Sequence, residues 1–406
     1  MRSFLFVNRF YWPEEPATAQ LLGDLAEGLA GRGHRVTVIA SAPPGRTFPR
    51  EEIRNGVRII RLSCPRLGRH HVILRLFDFA VFHLLLQLRL LAVLQYRETL
   101  VVLSDPPVTG LAIWPVARLR SATLIHYAQD IYPEIAMRLS PHPLAARLLG
   151  LLRTPRDYAW RHSAGCVVLG SDMASLVRQR GLPAAQIGIL PNWAPAGLAE
   201  ASPESARAFR SSWGIGSELL VMYSGNIGRV HDLEPVIRLA ERLRDESGIL
   251  FVFVGGGAAR AKLEEQARRL TLANIRFLPA QPRSTLPISL SAADLHLVTL
   301  KEGCESAVFP SKLYGIAAVG RPVLFIGPLS SEIGTLVSAE GLGLAFDRTQ
   351  IDAIAKALLA LAGNPAARRR FADNATRFHS KDRGLGRALD FWEAWPPSPP
   401  SGPQAS

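Results

Sequence analysis

Cysteine is scarce: Cys64, Cys166 and Cys304 are the only three in 406 residues, far apart and without a CxxC spacing. An odd, scattered set excludes a cysteine-based zinc ribbon and fits a reducing compartment. The chain also lacks HExxH and any paired DxD, so neither a zincin site nor an aspartate pair for a metal–diphosphate complex is written in it. No GxGxxG follows the first apolar run. The loop from Asn8 to Thr18 carries Phe10-Tyr11-Trp12-Pro13-Glu14-Glu15-Pro16-Ala17 instead, which argues against a dinucleotide-dependent dehydrogenase. Acidic residues are also short, 34 against 47 basic, a net charge of +13. Such a balance points to an anionic partner (nucleic acid, acidic membrane or phosphorylated substrate) or to an arginine-rich solvated surface. Aromatics interleaved with basic residues at nucleic-acid spacing are missing, so nucleic acid is not the expected partner.

What is present is globular. At 48% hydrophobic and 20% charged residues the chain can bury a sizeable core, and its 406 residues call for two domains. Polar Asn8-Arg9 interrupts the first apolar run directly, so no signal peptide is expected and a cytoplasmic location follows. Strand-length runs at residues 3–7, 35–40, 57–62, 99–104, 122–126 and 166–169 alternate with helical patterns at 18–31 and 107–119. The rhythm repeats with strands at 218–224, 249–254, 274–278, 294–300, 321–326 and 342–346, and helices at 233–244 and 258–269. Both halves read as α/β, doubly wound parallel sheets. The expected division is 1–198, 199–380, a returning helix at 381–395 and a Pro/Ser-rich disordered tail at 396–406.

Candidate chemistry clusters after strands. Pro310-Ser311-Lys312 opens a short helix that Gly320 and Pro322 close; free amides at its start, with Lys312 beside them, can face a diphosphate. Gly225-Asn226-Ile227-Gly228 and Gly255-Gly256-Gly257 are turns through which backbone approaches a ligand, although a glycine after a strand is more often only a tight turn. His126 and Asp130 sit in a run of ionisable residues, and Asp130 is equally a cap for the next helix. Residues 72–94 form an apolar helix with Arg75, Asp78, Arg89 and nearby Arg97 on one side. A charge at bilayer centre costs roughly 2.5–3.5 kcal/mol, so spanning is disfavoured. Two readings stay open: a buried helix, or an interfacial one with Arg61, Arg66, Arg69, His70 and His71 as a basic cluster for anionic lipid.

The ordered set Phe10-Tyr11-Trp12-Pro13-Glu14, Ser104-Asp105-Pro106-Pro107, Asp130-Ile131-Tyr132-Pro133-Glu134, Leu190-Pro191-Asn192-Trp193, Gly225-Asn226-Ile227-Gly228 and Pro310-Ser311-Lys312-Leu313 resembles bacterial family-four glycosyltransferases, nearest those of the colanic-acid and O-antigen type. The resemblance covers essentially residues 1–395. It implies a GT-B architecture, two Rossmann-like domains facing a central cleft with a C-terminal helix crossing back to the first. It also implies retention of configuration, no metal and no cofactor, and a nucleotide-sugar donor, UDP foremost. The acceptor it implies is a lipid-linked glycan or growing polysaccharide, met at the inner face of the cell membrane, so an anionic membrane surface is an expected partner.

On that footing Gly225, Asn226, Arg229, Gly255, Gly256, Pro310, Ser311 and Lys312 are expected to bind the donor. Glu302 or Glu305 would orient its sugar, with His126 and Asp130 as catalytic candidates and Glu15, Pro16, Ala17 and Asp105 on the acceptor side. Two departures matter. The family glutamate on the ribose falls at Gly315, and the paired Arg and Lys after the second domain's first strand fall at Asn226 and His231. A nucleotide-sugar 2-epimerase and a catalytically inactive membrane binder are the alternative readings.

Overall fold

The computed structural model describes residues 1–14, 16–45, 48–68, 72–381 and 384–395. The expected disordered tail at 396–406 lies outside these, as do Glu15, Arg69, His70 and His71. The chain forms two compact units: Met1–Pro191 with Ser306–Val308 and the stretch from Leu385, and Asn192–Glu305 with Phe309–Gly384. The division falls before residue 198 because Leu198 packs on the Gly315 position and Glu200 pairs with Arg321, both in the second unit.

In the first unit the strands are β1 (Ser3–Val7), β2 (Arg35–Ser41), β3 (Glu51–Arg54), β4 (Val57–Leu62), β5 (Thr99–Leu103), β6 (Thr123–Ala128), β7 (Gly165–Val168) and β8 (Ile187–Ile189). Its helices are α1 (Ala17–Gly31), α2 (Val72–Val93), α3 (Thr109–Leu119), α4 (Glu134–Leu139), α5 (Pro143–Gly150), α6 (Arg153–Arg161) and α7 (Ser171–Gln179). The sheet order is β3-β4-β2-β1-β5-β6-β7-β8, parallel except for β3. The β3–β4 hairpin turns on Asn55-Gly56, both at positive φ, as a two-residue turn between right-twisted strands requires. Strands such as Phe4-Leu5-Phe6-Val7 are buried on both faces, hence their unbroken apolar runs. Phe82, Leu86 and Leu90 of α2 and Ile113 of α3 cover one face.

In the second unit the strands are β9 (Leu219–Ser224), β10 (Ile249–Val254), β11 (Ile275–Leu278), β12 (Leu295–Thr299), β13 (Val323–Ile326) and β14 (Gly343–Phe346). They are connected by α8 (Pro203–Ser212), α9 (Glu234–Arg242), α10 (Arg260–Arg269), α11 (Leu286–Ser291), α12 (Lys312–Ala318) and α13 (Glu332–Ala339), and followed by α14 (Ile351–Ala362) and α15 (Pro365–Ser380). The order is β11-β10-β9-β12-β13-β14, all parallel. α16 (Leu385–Ala394) belongs to the first unit. Its Trp392 meets Phe6 and Tyr127 edge-on at 5.9 and 5.4 Å, and Arg32 of that unit pairs with Asp390 and Glu393.

Each sheet reverses winding once, between β1 and β5 in the first unit and between β9 and β12 in the second. A crevice opens outside the strand C-termini at such a switch point, so chemistry is expected after β1 and β5 and after β9 and β12.

Candidate functional site

At the second unit's switch point, β9 is followed by Gly225 at φ 128° and β10 by Gly255 at φ 130°, conformations that favour glycine. The turns interlock: Gly225 N donates to Val254 O and Ile227 N to Gly256 O, and a Cβ on Gly255 would lie 2.2 Å from Gly225 O. Gly255 is therefore demanded by turn-on-turn packing, not by close approach of a ligand. A Cβ on Gly256 would meet nothing within 4 Å, and one on Gly225 would meet only Lys312 Nζ, at 3.9 Å. Those two glycines are the ones that leave backbone open.

Lys312 is the central residue of this half-site. Its stem is half-buried, but its ammonium is shut off from solvent, has no hydrogen-bond acceptor, and sits 3.4 Å from the centroid of the Tyr223 ring. The ring's quadrupole partly offsets the charge. Burial alone pushes the lysine well below its ordinary pKa. Close by, His231 donates from Nδ1 to Thr299 O at 3.0 Å; burial, then the Lys312 charge, lowers it to about 3, so it is neutral. Two further buried oxygens lack a protein partner, Thr299 Oγ1 and Glu305 Oε2. A buried unpaired ammonium, like a buried unpaired oxygen, is costly unless a ligand completes it.

The helix start differs from expectation. Ser311 lies in the helical region and its side chain caps nothing, while Leu313 N and Tyr314 N bond Pro310 O and Ser311 O. With those amides engaged and only seven residues in α12, the cationic group offered to an anion is Lys312. Pro310 is buried at the turn into the helix. Asn226 and Arg229 are exposed, and the Asn226 side chain lies over Gly228 and Gly257. Glu302 is exposed, whereas Glu305 is half-buried. A Cβ on Gly315 would touch Leu198 at 3.5 Å.

The first unit's switch point gathers a second set. Asp105 follows β5 and Asp130 follows β6; Ser104 Oγ accepts from Gln129 N and Asp130 N, fixing the second carboxylate's loop. Burial raises both aspartates to about 6, Asp105 also raising Asp130, against the pull of Arg9 4.0 Å from Asp105. Asp130 does not cap α4, whose N-cap position is Pro133. Val108, at φ 62°, is a β-branched residue in the left-handed region, a strained entry to α3 beside these loops. His126, by contrast, is a packed strand residue: burial lowers it to about 3, its ring meets Trp160 edge-on, and Gly110 makes room for it. A cavity of about 50 Å³ lies between it, Asp130, Thr109 and Arg156. Pro16 and Ala17 open α1 on the β1 side, where Pro16 O accepts from Ala19 N and Gln20 N. Glu15 is not among the described residues.

Of the basic cluster expected before α2, the two described members, Arg61 and Arg66, are spent. Arg61 is buried against Glu52 and Pro49 O, and Arg66 grips Glu14 through two bonds of 2.6 and 2.8 Å. Asp78 is buried too, accepting from Leu67 N and Gly68 N. On the charged side of α2, Asp78 thus turns inward and Arg89 pairs with Glu51, while Arg75 stays exposed. No cluster of three or more His, Cys, Asp or Glu able to hold a metal occurs among the described residues. Sequence reasoning missed Tyr223 and Thr299, neutral residues without a motif, and gave His231 only as an aligned position.

Residues 18–193 match the Glycosyl transferase 4-like domain and residues 205–378 the Glycosyl transferases group 1 family. A putative colanic acid biosynthesis glycosyl transferase, WcaI of Escherichia coli, is 29% identical over 385 residues, 88% of this chain and 92% of that protein. Two solved structures share the fold. HepE of Anabaena, in complex with UDP-glucose, has a TM-score of 0.72 at 15% identity, covering 96% of this chain and 98% of its own. WaaG, a glycosyltransferase involved in lipopolysaccharide biosynthesis, has 0.74 at 17%, covering 95% and 98%. With two Rossmann-like units, a family match in each and a helix returning to the first, the chain belongs to the family-four glycosyltransferases of GT-B fold.

Proposed function

We propose that this enzyme transfers a sugar from a nucleotide diphosphate, UDP foremost, to a lipid-linked glycan or growing polysaccharide at the inner face of the cell membrane, retaining configuration and using no metal. The observation that carries the proposal is Lys312: a buried ammonium with no protein acceptor is suited to receive an anion. The similarity to a colanic acid enzyme and to a fold solved with UDP-glucose supports the substrate class.

The chemistry follows from the charges. As the anomeric C–O bond breaks, its electron pair goes to the diphosphate, and the growing negative charge meets the Lys312 ammonium in a dry setting where that interaction is strongest. Gly225 and Gly256 leave backbone accessible to the nucleotide, and Glu305 holds the donor sugar by a hydroxyl. Asp130 and Asp105 bind the acceptor hydroxyl, and its proton passes to the departing diphosphate oxygen as the hydroxyl oxygen bonds the anomeric carbon. Since the chain has no DxD pair and supplies a cation of its own, a metal has no assigned task. His126 is given a packing role, and Gly315 contributes no side chain to the ribose.

A thermal-shift comparison of UDP-, GDP- and dTDP-sugars tests the donor. A UDP-sugar at 100 times its Kd should stabilise by about 2.7 kcal/mol, with the others well behind. Stabilisation by GDP-sugars alone would overturn the base assignment.

A further inference from the structure

α2 is 22 residues long and apolar enough to span a bilayer, yet it is an outer layer of a folded unit. One face, with Asp78, Phe82, Leu86 and Leu90, is buried against the sheet. The opposite face carries Ile73, Phe77, Leu84, Leu88 and Leu91, at i, i+4, i+11, i+15 and i+18, a continuous helical stripe. All are exposed, Ile73 by 80% and Leu84 by 59%. A soluble surface scatters such residues singly, and a stripe of this length marks a contact. A second ridge stands on α5 and its exit: Leu144, Leu148 and Leu151 are 68%, 59% and 70% exposed, and α5 buries no residue.

Charge decides between possible occupants. Every acidic residue between Gly56 and Ser171 (Asp78, Glu98, Asp105, Asp130, Glu134, Asp157) is buried or half-buried. Over the same span Arg75, Arg97, Arg118, Arg138, Arg147 and Arg161 are exposed. Glu51, alongside α2, is held between Arg58 and Arg89. This region therefore presents leucine and arginine to its surroundings without a free-standing carboxylate. That pattern complements an anionic lipid headgroup layer over an apolar interior, and it would set arginine against arginine between two copies. Spanning is excluded by the buried face, because crossing the bilayer would strip Phe82, Leu86 and Leu90 from the sheet core.

We infer that the α2 stripe and the α5 ridge form a two-point, in-plane anchor that seats the first unit on an anionic bilayer. The inference rests on the membrane-surface reading above and deepens it: the anchor is α2 with α5, and its positive charge comes from exposed arginines of this stretch, Arg75 on α2 and Arg147 on α5 among them, instead of from Arg61 and Arg66.

The test uses the full chain, sedimented with vesicles of phosphatidylcholine with or without phosphatidylglycerol. Wild type should bind the phosphatidylglycerol vesicles preferentially, less so at high salt, and alkaline washing should release it. Leu84→Glu with Leu88→Glu, and separately Leu144→Glu with Leu148→Glu, should each weaken vesicle binding by at least about tenfold. Both pairs should keep the wild-type thermal shift with UDP, which shows that the chain is folded. Unchanged vesicle binding in either pair would overturn the two-point anchor, and retention after alkaline washing would overturn the in-plane placement. Dissociation of a wild-type dimer by the α2 pair, with vesicle binding unaltered, would assign the stripe to a second copy instead. Wild type that binds vesicles but no UDP would leave the anchor standing and remove the donor reading alone.

Discussion

Single residues in this enzyme carry opposite electrostatic strains in its two units. Asp105 and Asp130 are held near pKa 6 by burial, with Asp105 also raising Asp130, so between their unfolded values near 4 and about 6 the folded state binds more protons than the unfolded one. Their contribution is full at low pH and is lost as pH rises through about 6. Asp130→Asn should therefore remove a fall in stability of about 1–3 kcal/mol between pH 4 and 6. Parallel urea titrations of wild type and variant across that range check this, and identical slopes would contradict it. Lys312 has the opposite sense for a base. Its folded pKa lies below the unfolded value, so its buried charge weakens the fold at neutral pH and stability recovers as pH rises. None of this was legible in the sequence, which showed which residues could ionise but not which would be enclosed. Lys312 stood out by its Pro-Ser-Lys context; Tyr223 beneath it is one more apolar position in a strand pattern until the fold turns its ring toward the ammonium.

At the scale of elements, the strand pattern was readable because parallel strands buried on both faces leave unbroken apolar runs. β3 escaped because Glu51-Glu52-Ile53-Arg54 is a short polar edge strand, though its Asn55-Gly56 turn was a usable signal. β8, only three residues long, gives too short a run to register. The glycine turns were found, but their reasons differ in a way only geometry separates. Gly255→Ala should destabilise by about 1–3 kcal/mol, since it sets a Cβ against Gly225 O at a positive φ. Gly256→Ala should leave stability within about 0.5 kcal/mol and weaken UDP binding instead. Chemical denaturation and nucleotide titration of the pair distinguish the two roles, and equal stability losses would refute the distinction. The returning helix α16 is held by a fully buried Trp392, with Gly28 of α1 giving Leu389 room. Trp392→Ala should cost about 3–5 kcal/mol by denaturant unfolding; a loss below 1 kcal/mol would mean that α16 adds little to the first unit.

Across the whole molecule, charge and hydrophobicity are distributed unevenly, and the +13 balance has a spatial meaning that composition alone cannot give. Carboxylates are withdrawn from the surface around α2 and α5, while in the second unit a lysine is enclosed without a counter-ion. The first arrangement suits an anionic surface and the second an anionic substrate. The most direct test of the central claim is calorimetric titration of UDP into wild type and Lys312→Met, with the unliganded melting temperatures measured alongside. The Met variant should melt higher than wild type, because a desolvated unpaired charge is gone, and should bind UDP at least about tenfold more weakly, a loss of about 1.4 kcal/mol or more. Unchanged UDP affinity together with a lower melting temperature would make Lys312 a structural residue and contradict the claim.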